Sequence, residues 1–336
     1  MGMKLKRLRD QVIVITGASA GIGLTTAEMA AREGARVVLN SRSEMDLRQA
    51  CERIAARGGR AVYVVGDVAD PDAVEMIANA AVSEFGGLDT WINNAGIGMY
   101  GRLTQMSLAD KRRLFDVNFW GVVHGCRTAV RHLRNRGGAI INIGSVTSDR
   151  AIPLLGMYSA SKHAVKGYTD GLRMELEEEG APIAVTLVKP ASINTPFTEH
   201  ARNYMEEEPE YAGSVYPPEE VARAILRCAE HPMRDVTVGG GGKLMSVMGT
   251  VAPRVTDLVM ERTLFKGQKK NQPRHPGDSL YAPEDDGRKR GRTGRHVMHS
   301  SAYTRAAMSD VGRVLPMLAI GALMAAGLSV IRKEES

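Results

Sequence analysis

The chain has 336 residues, of which 43% are hydrophobic and 24% charged, a composition typical of a globular protein and not of a disordered one. Its formal charge of +6 is uneven, because residues 266–296 alone carry nine Lys or Arg against four Asp or Glu. The residues before 266 are balanced, so the folded part should have no basic face and nucleic-acid binding is not expected. Three scattered cysteines without a Cys/His cluster predict neither a disulfide framework nor a metal site, and fit a reducing compartment.

Short apolar, β-branched runs alternate with longer helical stretches through most of the chain. Strands are expected at 12–16, 36–40, 61–65, 88–92, 139–143, 183–189 and 235–238. Helices are expected near 22–33, 43–57, 71–85, 107–134, 157–179 and 218–230. Because strands buried on both faces read as near-continuous apolar runs, this alternation predicts an α/β fold with one doubly wound, mostly parallel, seven-stranded sheet. Ligands of such sheets bind at the carboxyl ends of the strands.

A glycine-rich loop lies between the first predicted strand and the first predicted helix, at residues 16–23 (TGASAGIG). Gly17 suits a tight turn, Gly21 lets backbone amides approach a pyrophosphate, and Gly23 allows close packing of helix on strand. The helix N-terminus offers amide donors and the positive end of its dipole to the anion. The loop therefore predicts a dinucleotide site, with contacts from Gly17, Ser19, Ala20, Gly21, Ile22 and Gly23.

The end of the second predicted strand indicates which dinucleotide binds. An acidic residue there would bind the ribose 2′-hydroxyl of NAD, but this chain has Ser41 and Arg42, which suit a 2′-phosphate. NADP(H) is therefore expected, and the alternative is that Arg42 is only a solvated charge. Further contacts to the adenosine half are expected after the third and fourth strands, from Asp67, Val68, Asn94, Ala95 and Gly96.

A tyrosine and a lysine four residues apart, Tyr158 and Lys162, share one face of a predicted helix. A phenol has a pKa of about 10, and a neighbouring ammonium should lower that pKa toward the working range. Ser145 precedes Tyr158 by thirteen residues and follows the fifth predicted strand. Two hydroxyls aimed at one carbonyl oxygen would stabilise the negative charge that hydride transfer builds there.

In order and spacing these motifs resemble those of the short-chain dehydrogenase/reductase family. The resemblance implies a Rossmann-type domain in which Tyr158 gives a proton to the carbonyl oxygen in reduction, or removes it from the alcohol in oxidation. It implies that Lys162 holds the nicotinamide ribose hydroxyls, that Ser145 fixes the reacting oxygen, and that Asn118 holds a water in a proton relay to Lys162. It also implies contacts to the nicotinamide end from Pro190, Ile193 and Thr195.

One residue departs from the family pattern. Members usually carry Pro-Gly after the sixth strand, whereas this chain has Pro190 followed by Ala191. An alanine would be strained there if the position requires a positive φ angle. The departure places the shape of the loop beside the nicotinamide in question.

Four parts are expected along the chain: a catalytic domain at 1–243, a helical extension at 244–265, a disordered basic linker at 266–304, and a membrane anchor at 305–336. The anchor is expected because Val314–Ile331 is uncharged and, as a helix, would span about 27 Å of a bilayer core of about 30 Å. A cytoplasmic catalytic domain anchored by its tail is therefore predicted. The alternative is an apolar helix that packs on protein or lies in the membrane interface.

The sequence thus predicts an NADP(H)-dependent oxidoreductase that interconverts a carbonyl and an alcohol, and the membrane address suggests a lipophilic substrate. The alternatives are a sensor or scaffold protein that binds NADP(H) without turnover, and an epimerase or dehydratase on the same fold. The complete Ser, Tyr, Lys and Asn set favours the oxidoreductase over the sensor, and the Gly-x-x-x-Gly-x-Gly spacing of residues 17–23 resembles the short reductase branch and not the epimerases or dehydratases. The resemblance also implies a homodimer or homotetramer formed through the helices near 107–134 and 157–179.

Overall fold

The computed structural model describes residues 3–309. Its main sheet contains β1 (Val12–Thr16), β2 (Arg36–Ser41), β3 (Arg60–Val65), β4 (Thr90–Asn93), β5 (Gly138–Ile143), β6 (Ile183–Pro190) and β7 (Asp235–Val238). The strand order is β3-β2-β1-β4-β5-β6-β7, and every neighbouring pair is parallel. This is the Rossmann-like order that reverses at β1, so the predicted doubly wound α/β fold is confirmed.

Ten α-helices lie in the described part of the chain. They are α1 (Gly21–Arg32), α2 (Glu44–Ala55), α3 (Pro71–Phe85), α4 (Leu108–Phe115), α5 (Gly121–Leu133), α6 (Gly156–Glu178), α7 (Pro218–Glu230), α8 (Gly240–Val251), α9 (Pro253–Gly267) and α10 (Ala302–Met308). The helix predicted at 107–134 is formed by α4 and α5 with a π-turn, Asp116–Trp120, between them. The helix predicted at 244–265 is divided into α8 and α9, because Pro253 cannot continue the backbone hydrogen bonds of a helix.

The sheet separates two apolar cores, and β1 contributes to both. Ile13 and Ile15 belong to one core, with residues of α1 and α7, whereas Val12 and Val14 belong to the other, with residues of α3 and α5. All five residues of β1 are buried. Successive side chains of a strand point to opposite faces, so a strand covered on both faces needs apolar residues throughout.

Short elements flank the carboxyl end of the sheet. Two parallel strand pairs form there, Met99–Tyr100 with Arg202–Asn203 and Ser192–Ile193 with Val215–Tyr216. A 3-10 helix at Leu8–Asp10 precedes β1 at the opposite end of the sheet, whereas the 3-10 helices Val146–Ser148 and Pro196–Thr198 lie at the carboxyl end with the two strand pairs. These elements extend the walls of the cleft beyond the strand ends.

The segment predicted as a disordered linker, 266–304, follows a defined path over the catalytic domain, which corrects that expectation. Lys269–Pro273 pairs antiparallel with Glu207–Pro209, and Leu280 is completely buried. The basic composition was misleading because these charges have fixed partners on the domain, such as Lys289 with Glu28 at 2.5 Å. Residues 278–292, which cross the carboxyl end of the sheet, are called the strap below.

Among residues 3–309, no helix is both long and apolar enough to cross a bilayer. The predicted span, Val314–Ile331, lies outside the described residues. The predicted division of the chain at residue 243 stays a prediction.

Candidate active site

One cleft opens where the central strands end, and its empty space, including the part that is open to solvent, is about 1700 Å³. All predicted catalytic and cofactor residues except Gly23 and Asn118 line it. Tyr158 and Lys162 lie on α6, and the others come from the ends of six different strands and the loops after them. A parallel sheet gathers its strand ends at one edge, which explains why residues so distant in sequence meet there.

The glycine-rich loop is shaped by close contacts with the backbone after β4. Gly17 has a φ of 65°, and a Cβ there would lie 2.7 Å from the Cα of Ala95. A Cβ on Gly23 would collide with the carbonyl oxygen of Gly17. The Asn94 side chain fastens the loop by donating to the carbonyls of Thr16 at 2.9 Å and Gly17 at 3.0 Å. The two glycines are thus required by packing.

The N-terminus of α1 has no side-chain cap, whereas α2, α3 and α4 each begin with a capping serine or aspartate. Ala20 occupies the capping position of α1, and its methyl group cannot accept a hydrogen bond. The first-turn amides therefore suit a pyrophosphate, and the chain fits a dinucleotide on this structural ground. One of these amides is engaged, because Gly21 donates to the carbonyl of Arg288 at 2.9 Å.

Arg42 lies at the adenosine end of the cleft and is held by the strap. Its guanidinium donates to the backbone carbonyls of Tyr281 at 3.1 Å and Leu280 at 3.4 Å, and also to that of Ser279. The guanidinium lies 4.0 Å from the Asp67 carboxylate. Arg42 is therefore not a freely solvated charge, and its role toward a 2′-phosphate stays a prediction.

The Asp67 carboxylate also has partners within the protein. It forms an ion pair with Arg113 of α4, and its Oδ1 accepts from the Ala69 amide at 3.0 Å. Arg113 in turn donates to the Leu280 carbonyl at 3.0 Å. Asp67, predicted to contact the adenosine half of the cofactor, thus also joins β3, α4 and the strap.

Tyr158 lies near the start of α6 and faces the cleft. Its ring packs edge-on against Phe197 with centroids 5.1 Å apart, and Tyr158 lines the same cleft as Ser145. Burial raises the pKa of the Tyr158 phenol above its usual range, and the Ser145 side chain opposes this rise. The phenol is therefore kept protonated, as a proton donor must be.

Lys162 is buried one turn further along α6. Its Nζ lies 5.6 Å from the centroid of the Tyr158 ring and donates to the Ile143 carbonyl at 2.8 Å. Burial lowers the pKa of Lys162 to about 8. The expected lowering of the Tyr158 pKa by this ammonium is not observed, because burial of the phenol outweighs other influences and the ammonium is directed at Ile143.

Asn118 is completely buried in the π-turn after α4. Its side chain accepts from the Ile97 amide at 2.8 Å, and donates to the Ile97 carbonyl at 3.0 Å and to the Ser161 hydroxyl at 3.2 Å. A Cβ on Gly96 would lie 3.4 Å from the Asn118 Oδ1 and 3.6 Å from the Lys162 Nζ. The structure thus brings Asn118 beside Lys162, while its side chain braces the backbone after β4.

The loop after β6 accommodates Ala191 without strain. Among the described non-glycine residues only Leu154 has a positive φ, of 65°, so Ala191 does not need the freedom of glycine. Further along this loop, the Thr195 carbonyl accepts from the Tyr211 hydroxyl at 2.8 Å.

Two groups of lining residues were not foreseen from the sequence. One is an apolar wall near Tyr158, formed by Tyr100, Ile152, Leu155 and Phe197. The other comes from the C-terminal part of the chain: Gln268, Ser279, Pro283 and Glu284. The wall has no motif because tertiary packing brings it together, and the strap was concealed by its linker-like composition.

Comparisons with known proteins agree with this geometry. The family model described as short chain dehydrogenase matches residues 11–206. An uncharacterized oxidoreductase of Bacillus subtilis, YxnA, is 43% identical over 309 residues, 90% of this chain and 87% of the relative. A 3beta-hydroxysteroid dehydrogenase 1 of Eggerthella lenta is 36% identical over 240 residues, 68% of this chain and 90% of the relative.

Two solved structures of dehydrogenases are also similar to this chain. A short chain dehydrogenase/reductase from Burkholderia phymatum in complex with NAD has a TM-score of 0.63 and 27% identity, covering 78% of this chain and 96% of its own. An alcohol dehydrogenase from Thermococcus sibiricus complexed with 5-hydroxy-NADP has a TM-score of 0.60 and 26% identity, covering 68% and 95%. The chain is therefore an oxidoreductase that belongs to the short-chain dehydrogenase/reductase family.

Proposed function

We propose that this protein interconverts a carbonyl and an alcohol with NADP(H), using Tyr158 as its general acid and base. The observation that carries the proposal is the placement of Tyr158 and Ser145 in one cleft, with buried Lys162 beside Tyr158 and with the uncapped start of α1 in the same cleft. A binding protein without turnover would not require this arrangement of hydroxyls.

The nicotinamide, when bound, would supply or accept the hydride. Ser145 and Tyr158 would donate hydrogen bonds to the reacting oxygen, where negative charge develops during reduction. Lys162 would hold the nicotinamide ribose hydroxyls with the N–H bonds that Ile143 does not use. Asn118 would hold a relay water through its main chain, since its side chain is occupied by Ile97 and Ser161.

The preference for NADP(H) rests on Ser41 and Arg42, which stand where an acidic residue would select NAD(H). The three strap carbonyls use both terminal nitrogens of Arg42, and its Nε remains to pair with a 2′-phosphate. The solved relatives include one in complex with NAD and one with 5-hydroxy-NADP, so the proposal depends on this chain's own residues.

The substrate is proposed to be a lipophilic ketone or alcohol. The wall near Tyr158 is aromatic and aliphatic, with Leu155, Ile152 and Phe197 facing the cleft. The similarity to a hydroxysteroid dehydrogenase supports the same substrate class. A carbonyl with an apolar body would bury that body against this wall as its oxygen reaches Tyr158.

The test follows NADPH and NADH oxidation by the full chain over matched sets of lipophilic and small polar ketones and aldehydes, with Tyr158→Phe in parallel. We expect NADPH-preferring turnover of lipophilic members that falls by about a thousandfold in Tyr158→Phe. Turnover of small polar carbonyls alone would contradict the substrate class. Tight NADPH binding without any turnover would favour the sensor alternative.

Membrane attachment through the C-terminus is proposed on two observations. Val314–Ile331 contains no charged residue. In addition, α8 and α9 expose apolar side chains at helical spacing: Leu244, Val247, Met248, Val251, Val255 and Val259. We expect the full chain to float with phosphatidylcholine vesicles, and a chain ending at residue 309 to float less. If neither chain bound the vesicles, the proposal would be contradicted.

A homodimer or homotetramer is proposed through α4, α5 and α6. Three large apolar side chains on or next to these helices are exposed in the single chain: Leu108 at 68%, Trp120 at 49% and Met174 at 57%. We expect light scattering to give at least the mass of a dimer, and Trp120→Glu to reduce that mass. A monomer at micromolar concentration would contradict this proposal.

A further inference from the structure

The strap crosses the cleft from its adenosine end to the loop after β6. Residues 279–281 lie on Arg42 and Arg113, and the Arg288 carbonyl accepts from the amide at the start of α1. Further along, a Cβ on Gly291 would collide with the carbonyl oxygen of Thr195, so the two backbones are in close contact. The strap therefore runs above the whole length that a dinucleotide would occupy.

The strap is part of the cleft wall and not only a neighbour of it. Ser279, Pro283 and Glu284 line the same cleft as Ser19 and Ser41. Part of the empty space of the cleft lies between these strap residues and the strand ends. A molecule bound on the glycine-rich loop would therefore be covered by the strap.

Polar contacts hold the strap at the rim of the cleft. Asp286 lies 2.8 Å from His200 Nε2, and Arg288 lies 2.8 Å from Glu199. Glu199 also accepts from the Arg292 amide at 2.6 Å. All of these side chains keep some solvent exposure, and partly exposed ion pairs are individually weak.

One apolar anchor complements these ion pairs. Leu280 is completely buried and joins the core that contains residues of α3 and α5. The remainder of the strap has few buried apolar groups, and segments of this kind open at lower free energy than the core. The contacts thus fit a segment that is ordered when closed and able to open.

The strap lies within the stretch shared with the Bacillus subtilis relative. That match covers 90% of this chain. A continuous aligned stretch of this length includes residues 278–292 whether it leaves out residues at the N-terminus or at the C-terminus. The aligned stretch therefore extends across the strap.

We propose that residues 278–292 close over a dinucleotide bound in the cleft, and that the strap must open before the dinucleotide can leave. The inference rests on the proposed function only in requiring that NADP(H) or NAD(H) binds this cleft. Glu199 and Asp286 hold the strap closed, and neither lines the cleft.

The test measures NADPH release from the full chain by stopped-flow fluorescence for Glu199→Gln and, separately, Asp286→Asn. The matched control is Glu179→Gln, which removes an exposed ion pair with Arg134 at 2.7 Å far from the strap in sequence. We expect release to be at least about tenfold faster in both strap variants and unchanged in the control. Release within about twofold of wild type in both strap variants would overturn the proposal.

Hydrogen exchange of the wild-type chain provides a second readout that needs no variant. We expect NADPH to slow exchange of the amides in residues 278–292, because closure over the dinucleotide restricts opening. Binding of NADPH that leaves this exchange unchanged would overturn the strap proposal while retaining the proposed cofactor. If neither NADPH nor NADH binds, the proposed function itself fails, and the strap proposal fails with it.

Discussion

The strand ends and the strap form opposite sides of one cleft, but different interactions build them. Residues at the strand ends are fixed by a buried sheet, with Ile13, Ile15 and Ile92 completely excluded from solvent. The strap is fixed mainly by ion pairs and backbone hydrogen bonds, as between Arg288 and Glu199. We therefore place the proposed chemistry on the strand-end side of the cleft and the proposed exchange of cofactor on the strap side.

We expect the strongest loss of cofactor binding from a substitution in the glycine-rich loop, on the strand-end side of the cleft. In Gly23→Ala the new Cβ would collide with the Gly17 carbonyl, so the glycine-rich loop must shift. We expect NADPH to bind at least about a hundredfold more weakly, as measured by fluorescence titration. Gly241→Ala is the control, because a Cβ there meets no atom within 4 Å. Equal affinities of the two variants would show that the loop does not hold the dinucleotide.

The next prediction concerns pH and tests the buried lysine. Because the Lys162 pKa is about 8, the ammonium is lost as the pH rises through that value. We expect kcat/KM for carbonyl reduction to fall about tenfold per pH unit above about pH 8. Lys162→Arg stays charged, so the fall in kcat/KM should begin at a higher pH in this variant. A fall that begins at the same pH as in the wild type would contradict the assignment.

Stability should change in the opposite direction over the same pH range. The unfolded lysine has its ordinary pKa of 10.5, so between about pH 8 and that value the unfolded chain binds more protons than the folded chain. The contribution of Lys162 should therefore raise the free energy of unfolding as pH increases there, in urea titrations. Lys162→Met should remove this contribution.

Arg42 lies at the end of β2 and also hydrogen-bonds to the strap. Removing its side chain therefore tests both its binding of the cofactor and its anchoring of the strap. In Arg42→Ala we expect NADPH affinity to fall about tenfold more than NADH affinity, because only NADPH carries the 2′-phosphate. The loss common to both cofactors would measure the anchor that Arg42 gives to the strap. Equal losses for both would assign Arg42 to the strap alone and contradict the proposed preference.

One buried leucine lies on each side of the cleft, and we expect the weakest effects of all from replacing these two residues. Leu39 in β2 and Leu280 in the strap are both completely buried. We expect Leu39→Ala to lower the free energy of unfolding by about 3 kcal/mol and Leu280→Ala by less than about 1 kcal/mol, because the strap opens before the core unfolds. Equal effects in urea titrations would mean that strap and core unfold together.

The sequence predicted the strand-end side of the cleft well, because its requirements are local. Gly17 and Gly23 are needed for packing, and Tyr158 and Lys162 share a helix face, so spacing alone locates them. All seven strands were foreseen because burial on both faces leaves continuous apolar runs.

The strap could not be predicted for an equally physical reason. Its stability depends on partners distant in sequence, such as Lys289 with Glu28 and Arg42 with Tyr281. A basic, proline- and glycine-containing segment reads as a linker unless those partners are known. The direction of the Tyr158 pKa was also wrong, because spacing does not reveal that burial exceeds the influence of Lys162.

The most direct test measures two rates in each of two variants by stopped flow: NADPH release, and single-turnover reduction of a ketone that the wild type accepts. In Tyr158→Phe we expect reduction to fall by about a thousandfold, with release within about twofold of wild type. In Asp286→Asn we expect release to accelerate at least about tenfold, with reduction within about twofold. If either variant changed both rates in parallel, the assignment of chemistry to one side of the cleft and exchange to the other would be contradicted.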